Sequence, residues 1–194
     1  AIEALYALEK HGFRVPHETL VRGLSVAKWP GRFEILQNEP TVIIDGAHNL
    51  QGVQVLKSNL MKYYRGKKIT MILGVLKDKM YREMIRELLP LAKNFKLITV
   101  NSERALSAEV ISEEIRKVEE EIHEESTAKE ASQKKKRKKE FDFEEVSYVK
   151  KECFSTVEEA VDSALNESEP DDIICALGSL YYIPEVHRYF GEED

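Results

Sequence analysis

The chain has 194 residues, of which 42% are hydrophobic and 33% are charged. This composition is typical of a globular protein and excludes a chain that is disordered throughout. The length predicts one domain, or one domain carrying a piece of another. A formal net charge of −6 and a pI near 5.6 argue against binding of nucleic acid or an anionic membrane by the surface as a whole.

The cysteine content and the hydropathy pattern predict a cytoplasmic protein. Cys153 and Cys175 lie far apart, without a CxxC pair, so the sequence supports neither a disulfide framework nor a structural zinc site. No apolar run approaches the roughly 20 residues of a membrane-spanning helix, and no secretory leader opens the chain. The first residue is Ala1 rather than Met and lies in helix-like sequence, so we expect a fragment of a longer protein.

The first 28 residues read as two short helices. Helical spacing of apolar residues covers 1–8 and stops near Gly12. Pro16 can open a second helix, which the Trp29-Pro30-Gly31 sequence ends. We therefore predict a domain boundary near Trp29, with 1–28 and 29–194 as the two parts.

From the boundary onward, strands alternate with helices. Strands are predicted at 32–36, 41–44, 68–73, 95–100 and 172–177. Helices are predicted at 50–64, 80–91, 107–122, 157–165 and 180–189, the last broken early by Pro184. The first two strands fit a hairpin or two neighbouring strands. The alternation predicts an α/β fold, with a Rossmann-like, mainly parallel sheet covered by helices on both faces. Such sheets bind ligands at the carboxyl ends of their strands.

A highly charged stretch at 119–145 interrupts this rhythm. It contains the six consecutive basic residues Lys134 to Lys139, with acidic residues on both sides. It cannot contribute a core, and it fits either an extended helix end or a disordered loop. The basic block raises an alternative function, a non-catalytic binding module for nucleic acid or a partner protein. The acidic flanks and the lack of interleaved aromatic residues favour a solvated linker instead.

The first candidate site is Asp45-Gly46-Ala47-His48-Asn49, between a predicted strand and a predicted helix. This position brings a carboxylate, an imidazole and an amide to the edge of the sheet that binds ligands. These residue types also suit a plain turn in which Asn49 caps the helix, and on these five residues alone the turn is the simpler interpretation.

Three further segments carry candidate groups, one at the predicted domain boundary and two after predicted strands. Trp29-Pro30-Gly31-Arg32-Phe33-Glu34 offers a guanidinium for a phosphate or carboxylate, or a surface ion pair. Gly178-Ser179-Leu180-Tyr181 offers a hydroxyl near a helix N-terminus, or an ordinary cap. The weaker Gly74 to Lys79 loop follows a third strand. The chain has no GxxxxGK[ST], GxSxG or HExxH motif, so it does not supply the main phosphate cradle of a nucleotide enzyme.

Taken together, these segments and Arg104-Ala105-Leu106-Ser107 resemble the C-terminal domain of folylpolyglutamate synthase and dihydrofolate synthase, in the Mur ligase superfamily. The resemblance covers most of the chain outside the charged insertion. Within it, residues 1–28 look like the closing helices of the central ATPase domain, whose P-loop portion would lie upstream.

The resemblance implies an ATP-dependent ligase that forms an acyl phosphate on a folate or dihydropteroate and then attaches L-glutamate. By motif position, Arg32 and Asp45 would contact the nucleotide, Arg32 its phosphates and Asp45 its ribose. His48, as a catalytic and substrate-binding residue, and Ser179 would lie near the glutamate and the transferred phosphoryl group. The Mg²⁺ ligands would belong to the upstream ATPase domain, so no metal residue is assigned.

Two departures from the family pattern stand out. The family commonly has Asp-Lys-Asp where this chain has Asp78-Lys79-Met80, and the charged insertion has no evident counterpart. A Mur-type ligase of cell-wall synthesis is the alternative within the superfamily. The Asp-Gly-Ala-His-Asn and Gly-Ser-Leu-Tyr sequences favour the folate branch.

Overall fold

The computed structural model of the chain describes residues 2–27, 29–133 and 148–191. The chain divides into two compact units, Ala1–Pro30 and Gly31–Asp194. The first unit contains α1 (Ile2–Glu9) and α2 (His17–Val26), and neither helix has a buried residue. The second unit contains every strand among the described residues. None of the described helices has the length and apolarity needed to cross a membrane.

The second unit is built on a six-stranded sheet. Its strands are β1 (Glu34–Asn38), β2 (Thr41–Asp45), β3 (Ile69–Leu73), β4 (Ala92–Ile98), β5 (Lys150–Phe154) and β6 (Ile173–Leu177). Their order across the sheet is β1-β2-β6-β3-β4-β5. The β1–β2 pair is antiparallel, which confirms the hairpin, and every other pair is parallel. The predicted α/β fold is therefore confirmed.

Helices cover both faces of the sheet. They are α3 (Leu50–Tyr63), α4 (Tyr81–Leu88), α5 (Ala108–Gln133), α6 (Val157–Asn166) and α7 (Ile183–Tyr189). One core lies among α3, α4, α5 and the sheet, and the other lies among α6, α7 and the opposite face. Strands β3 and β6 are buried along their whole length, as expected of central parallel strands.

Two predicted helices have different bounds. The helix predicted at 80–91 ends at Leu88 and continues as one 3-10 turn, Leu89–Leu91, because Pro90 lacks the N–H that the helix would need. The last helix begins at Ile183 rather than 180. Pro184 does not break it, since it occupies the first turn, where its missing N–H costs nothing.

The charged stretch differs most from expectation. Helix α5 continues to Gln133, so the extended-helix alternative holds for 119–133. The prediction that this stretch contributes no core is wrong at its start, because Glu119 is fully buried. Its carboxylate accepts a hydrogen bond from the Val149 backbone N–H at 2.8 Å and pairs with Lys151 Nζ at 2.5 Å. The basic block Lys134 to Lys139 lies outside the described residues.

Candidate functional site

Three strands end at the same level of the sheet, and each is followed by glycine. In the parallel register Leu177 lies opposite both Asp45 and Leu73, so β2, β6 and β3 end side by side. The N–H of Gly178 donates to Ala47 O at 3.0 Å. A Cβ on Gly178 would lie 2.5 Å from Gly74 O. The three loops therefore touch through their backbones, as expected for the ligand-binding edge of such a sheet.

Asp45 organises two of these loops through its carboxylate. One oxygen accepts the Phe33 backbone N–H at 2.9 Å and the other accepts that of Ala47 at 2.8 Å. Burial raises the pKa of this carboxyl, and the two N–H groups and the Arg32 charge only partly offset that rise. Each oxygen keeps a second lone pair, so Asp45 can hold the loops together and still accept hydrogen bonds from a ligand.

Arg32 stands at the centre of an unusual turn. Gly31 and Phe33, its two neighbours, both have positive φ, +70° and +44°. The Gly31 carbonyl accepts the Gly46 N–H at 2.6 Å, and the Gly31 N–H donates to Glu34 Oε2 at 2.6 Å. Arg32 itself is exposed. Within the part of the chain that the structure describes, its guanidinium has no hydrogen-bond partner. The turn thus presents an exposed cation near Asp45.

The hydrogen bond of His48 determines which of its ring nitrogens carries the hydrogen. Nδ1 lies 2.8 Å from the Gly46 carbonyl oxygen. A carbonyl can only accept, so Nδ1 carries the hydrogen, and in the neutral ring Nε2 bears the lone pair. Asn49 caps α3 by accepting the Gly52 N–H at 2.8 Å. The helix-capping interpretation of Asn49 is confirmed. Asp45 and Nε2 of His48 keep lone pairs with which they can accept hydrogen bonds from a ligand.

Ser179 and Tyr182 complete the loop after β6. Ser179 is buried, and its hydroxyl accepts the Tyr181 N–H at 3.2 Å, so it stabilises the loop rather than capping α7, which begins four residues later. The same hydroxyl can still donate its own hydrogen. The fully buried Tyr182 hydroxyl lies 2.6 Å from Leu177 O and 3.0 Å from Ile72 O, where it secures the ends of β6 and β3.

The Gly74 to Lys79 loop pairs with the segment that follows β4. An isolated antiparallel bridge joins Leu76 to Ala105. The Asp78 carboxylate lies 3.3 Å from Arg104 Nη1 and 3.4 Å from Lys79 Nζ. The structure thus brings the fourth predicted segment and the Arg104 motif together beside the other three. Among the described residues, no three His, Cys, Asp or Glu side chains are grouped so that they could hold a metal ion.

Two functional features of this edge were missed at the level of sequence. Glu34 belongs to one of the candidate motifs and Tyr182 directly follows another, yet only the fold shows which backbone atoms they reach. A second aromatic residue directly after Tyr181 was the available signal for Tyr182. Nothing in the sequence indicated that Glu34 turns back onto Gly31.

The sequence matches the family described as Mur ligase, glutamate ligase domain, over residues 31–180. A dihydrofolate synthase/folylpolyglutamate synthase of Bacillus subtilis is 40% identical over 74 residues, which are 38% of this chain and 17% of that protein. A probable bifunctional folylpolyglutamate synthase/dihydropteroate synthase of Haloferax volcanii is 27% identical over 171 residues, which are 87% of this chain and 17% of that protein.

The fold is shared with a crystal structure of the bifunctional folylpolyglutamate synthase/dihydrofolate synthase of Yersinia pestis, complexed with AMPPNP and a Mn ion. The TM-score is 0.72 at 22% identity, over 95% of this chain and 37% of that one. The chain thus corresponds to little more than a third of that enzyme, and its match covers about a sixth of each of the two curated relatives.

Proposed function

Because the chain belongs to the Mur ligase family through its glutamate ligase domain, we propose that it is the C-terminal lobe of an ATP-dependent ligase that adds L-glutamate to a folate. The single observation that carries this proposal is the meeting of four motif-bearing segments at one edge of the sheet. The names of the two relatives favour the folate branch over a ligase of cell-wall synthesis.

The proposed reaction has two steps. A carboxylate of the folate or dihydropteroate substrate attacks the terminal phosphoryl group of ATP, which gives an acyl phosphate and ADP. The amine of L-glutamate then attacks the acyl carbon, an amide bond forms, and phosphate leaves. Positive groups that neutralise the phosphoryl charge and a site that excludes water are what such chemistry requires.

The residues of this lobe suit particular parts of that reaction. The exposed Arg32 guanidinium, held on a fixed turn, can contact nucleotide phosphates. Asp45 has lone pairs left for ribose hydroxyls. Nε2 of neutral His48 can accept a proton from the glutamate ammonium group, which must lose one before its nitrogen attacks. Ser179 can donate its hydroxyl hydrogen to a glutamate carboxylate.

In this proposal, the Mg²⁺ ligands and the P-loop belong to a part of the protein upstream of this chain. Mg²⁺ would neutralise phosphate charge when bound, and we assign none of its ligands to the described residues. In α1, α2 and the turn between them, large apolar side chains are more than 40% exposed: Ile2, Tyr6, Leu8, Phe13, Val21, Leu24 and Val26. Such an apolar surface is rare on an isolated domain. It supports the proposal that these helices close a central ATPase domain whose P-loop part lies upstream, in a cytoplasmic enzyme.

The test is steady-state kinetics of the full-length polypeptide, following ATP-dependent incorporation of labelled glutamate into folate. We expect Arg32→Ala to lower kcat/KM for ATP about a hundred-fold, because the guanidinium stabilises charge that develops on the phosphoryl group. Arg65→Ala is the matched control, since Arg65 is exposed on the turn after α3, away from the carboxyl edge. Near-normal kinetics of Arg32→Ala, or no glutamate incorporation by the unaltered protein, would contradict the proposal.

A further inference from the structure

The turn that presents Arg32 is held in a conformation that its sequence does not favour. Phe33 has a φ of +44°, in the left-handed region that residues with a side chain rarely adopt. A strained residue of this kind persists only where its surroundings fix it, and such strain clusters at functional sites. Contacts from the surrounding elements must therefore fix this turn.

Three main-chain groups of the turn are tethered to the sheet. Asp45 holds the Phe33 N–H, and the Gly46 N–H holds the Gly31 carbonyl. The third tether is Glu34, the first residue of β1, whose Oε2 accepts the Gly31 N–H at 2.6 Å. A carboxylate that accepts a backbone N–H makes a stronger hydrogen bond than a neutral acceptor would.

The carboxylate of Glu34 lies close to α7. The same Oε2 lies 3.4 Å from Nε2 of His187, a residue that is only 8% exposed. The Phe33 ring packs against Tyr63 of α3 at a centroid distance of 5.7 Å. The turn around Arg32 is therefore fixed by Asp45 and Gly46 and by Glu34, and the Phe33 ring packs on α3, while the guanidinium is exposed.

We propose that Glu34 is a positioning residue for Arg32: its carboxylate locks the Gly31 N–H, and so aims the guanidinium at the phosphates of the bound nucleotide. This inference rests on the proposed function of Arg32. Glu34 touches neither nucleotide nor substrate in this proposal, and its effect passes through the turn. Moving a binding group by as little as an ångström can cost a large factor in rate, so such a tether has consequences for turnover.

Two substitutions separate the tether from the charge. Glu34→Asp keeps the negative charge but shortens the side chain by one methylene, so the carboxylate no longer reaches Gly31. Glu34→Gln keeps the reach and an accepting oxygen without the charge. We expect Glu34→Asp to weaken ADP binding to the full-length protein about ten-fold, because the released turn lets the Arg32 guanidinium lose a charged hydrogen bond to phosphate. We expect Glu34→Gln to stay within about three-fold of the unaltered protein.

A double-mutant cycle provides the decisive readout. If Glu34 acts through Arg32, Arg32→Ala and Arg32→Ala/Glu34→Asp bind ADP equally weakly, because no guanidinium remains to be aimed. Losses that multiply in the double variant would overturn the positioning role and leave the proposed function standing. So would a Glu34→Gln variant that binds more weakly than Glu34→Asp. An Arg32→Ala variant with unchanged ADP affinity would instead count against the nucleotide-binding role of Arg32 itself.

Thermal unfolding without nucleotide tests whether Glu34 affects ADP binding only through the stability of the fold. The positioning role predicts that Glu34→Asp is still fully folded at the temperature of the binding assay, with a melting temperature only a few degrees below that of Glu34→Gln, since the two differ by one hydrogen bond to Gly31. If Glu34→Asp is partly unfolded at that temperature, its weaker ADP binding is a structural effect and the proposal fails.

Discussion

At the scale of single residues, the loops at the carboxyl edge depend on backbone approaches that only glycine permits. Gly178 combines a φ of +105° with the position, described above, that puts its missing Cβ against the Gly74 carbonyl. A methyl group there would also lie 2.9 Å from Leu73 Cδ1. The contact between the loops after β6 and β3 therefore requires glycine for two independent reasons.

We expect Gly178→Ala to lower the free energy of unfolding by about 2 kcal/mol or more, from backbone strain plus the clash with a carbonyl that cannot move easily. Urea denaturation of the chain measures this change. Gly66→Ala is the matched control, because Gly66 has a φ of +78° and nothing within 4 Å of a built Cβ. The strain alone should cost it about 1–2 kcal/mol. Equal losses in the two variants would show that the close approach contributes nothing.

At the scale of the elements, helix α4 begins without a side-chain cap. Met80 occupies the N-cap position, makes no capping hydrogen bond and is 53% exposed. The family commonly has Asp at this position, and the structure gives that residue a structural interpretation. An Asp carboxylate here could accept an N–H of the first turn and interact favourably with the helix dipole.

Met80→Asp should therefore stabilise the chain, by about 0.5–1 kcal/mol in the free energy of unfolding. Met80→Ala serves as the control, since it removes the same side chain without adding an acceptor, and it should change stability little. Both variants can be compared by urea denaturation at neutral pH, where the new carboxylate is ionised. A Met80→Asp variant no more stable than Met80→Ala would leave the family's Asp to be explained by the site.

The elements that sequence reasoning found are those with a buried apolar pattern. Strands β2, β3 and β6 are apolar runs because helices cover them on both sides. Strand β5, Lys150–Phe154, escaped prediction because it lies at the edge of the sheet and carries three charged residues, which is common at sheet edges. Its charged residues also have partners that are distant in sequence, such as Glu119 for Lys151. No local pattern reveals such a pairing.

The candidate site was predictable for a related reason. The Asp45, Gly74 and Gly178 motifs each directly follow an apolar strand, so their place at the carboxyl edge follows from the α/β alternation. The motif at 29–34 leads into β1 and reaches that edge through its contacts with Asp45 and Gly46. The sequence could not show which polar atoms already make hydrogen bonds within the protein. Asn49 is committed to capping α3, whereas the Arg32 guanidinium is left exposed.

At the scale of the whole molecule, the two edges of the sheet are stabilised differently. The β1 edge carries the Arg32 turn, and the β4–β5 edge contains buried charge. Lys96 in β4 is fully buried and lies 2.5 Å from Glu152 Oε2 and 2.9 Å from Glu167 Oε2. Its ammonium also donates to Ser163 Oγ at 3.0 Å. This cluster joins β4, β5 and α6. Part of the stability of the sheet therefore depends on the charged states of Lys96, Glu152 and Glu167.

The stability that this cluster contributes should decrease as the pH falls. The hydrogen bond from Lys96 is the largest influence on both carboxyls and holds the pKa of Glu152 and of Glu167 below the usual value. Groups with a depressed folded pKa contribute stability that is fully present above their unfolded pKa and is lost as the pH falls through the folded one. Acidification below about pH 5 should therefore weaken the β4–β5 edge. Both carboxylates are partly exposed, so solvent screening keeps this contribution modest.

Lys96→Met should flatten this pH dependence, because the two carboxyls lose the partner that most favours their charged forms. At neutral pH the variant should be less stable by about 1–2 kcal/mol, because Glu152 and Glu167 stay charged without their buried partner, although their partial exposure and Lys150 limit the loss. Urea denaturation at a series of pH values between about 3 and 7 measures both effects. Lys62→Met is the control, because Lys62 lies on α3 above the Tyr63 ring rather than in this cluster. If the profile of Lys96→Met runs parallel to that of the unaltered chain, the acid sensitivity arises elsewhere in the sheet.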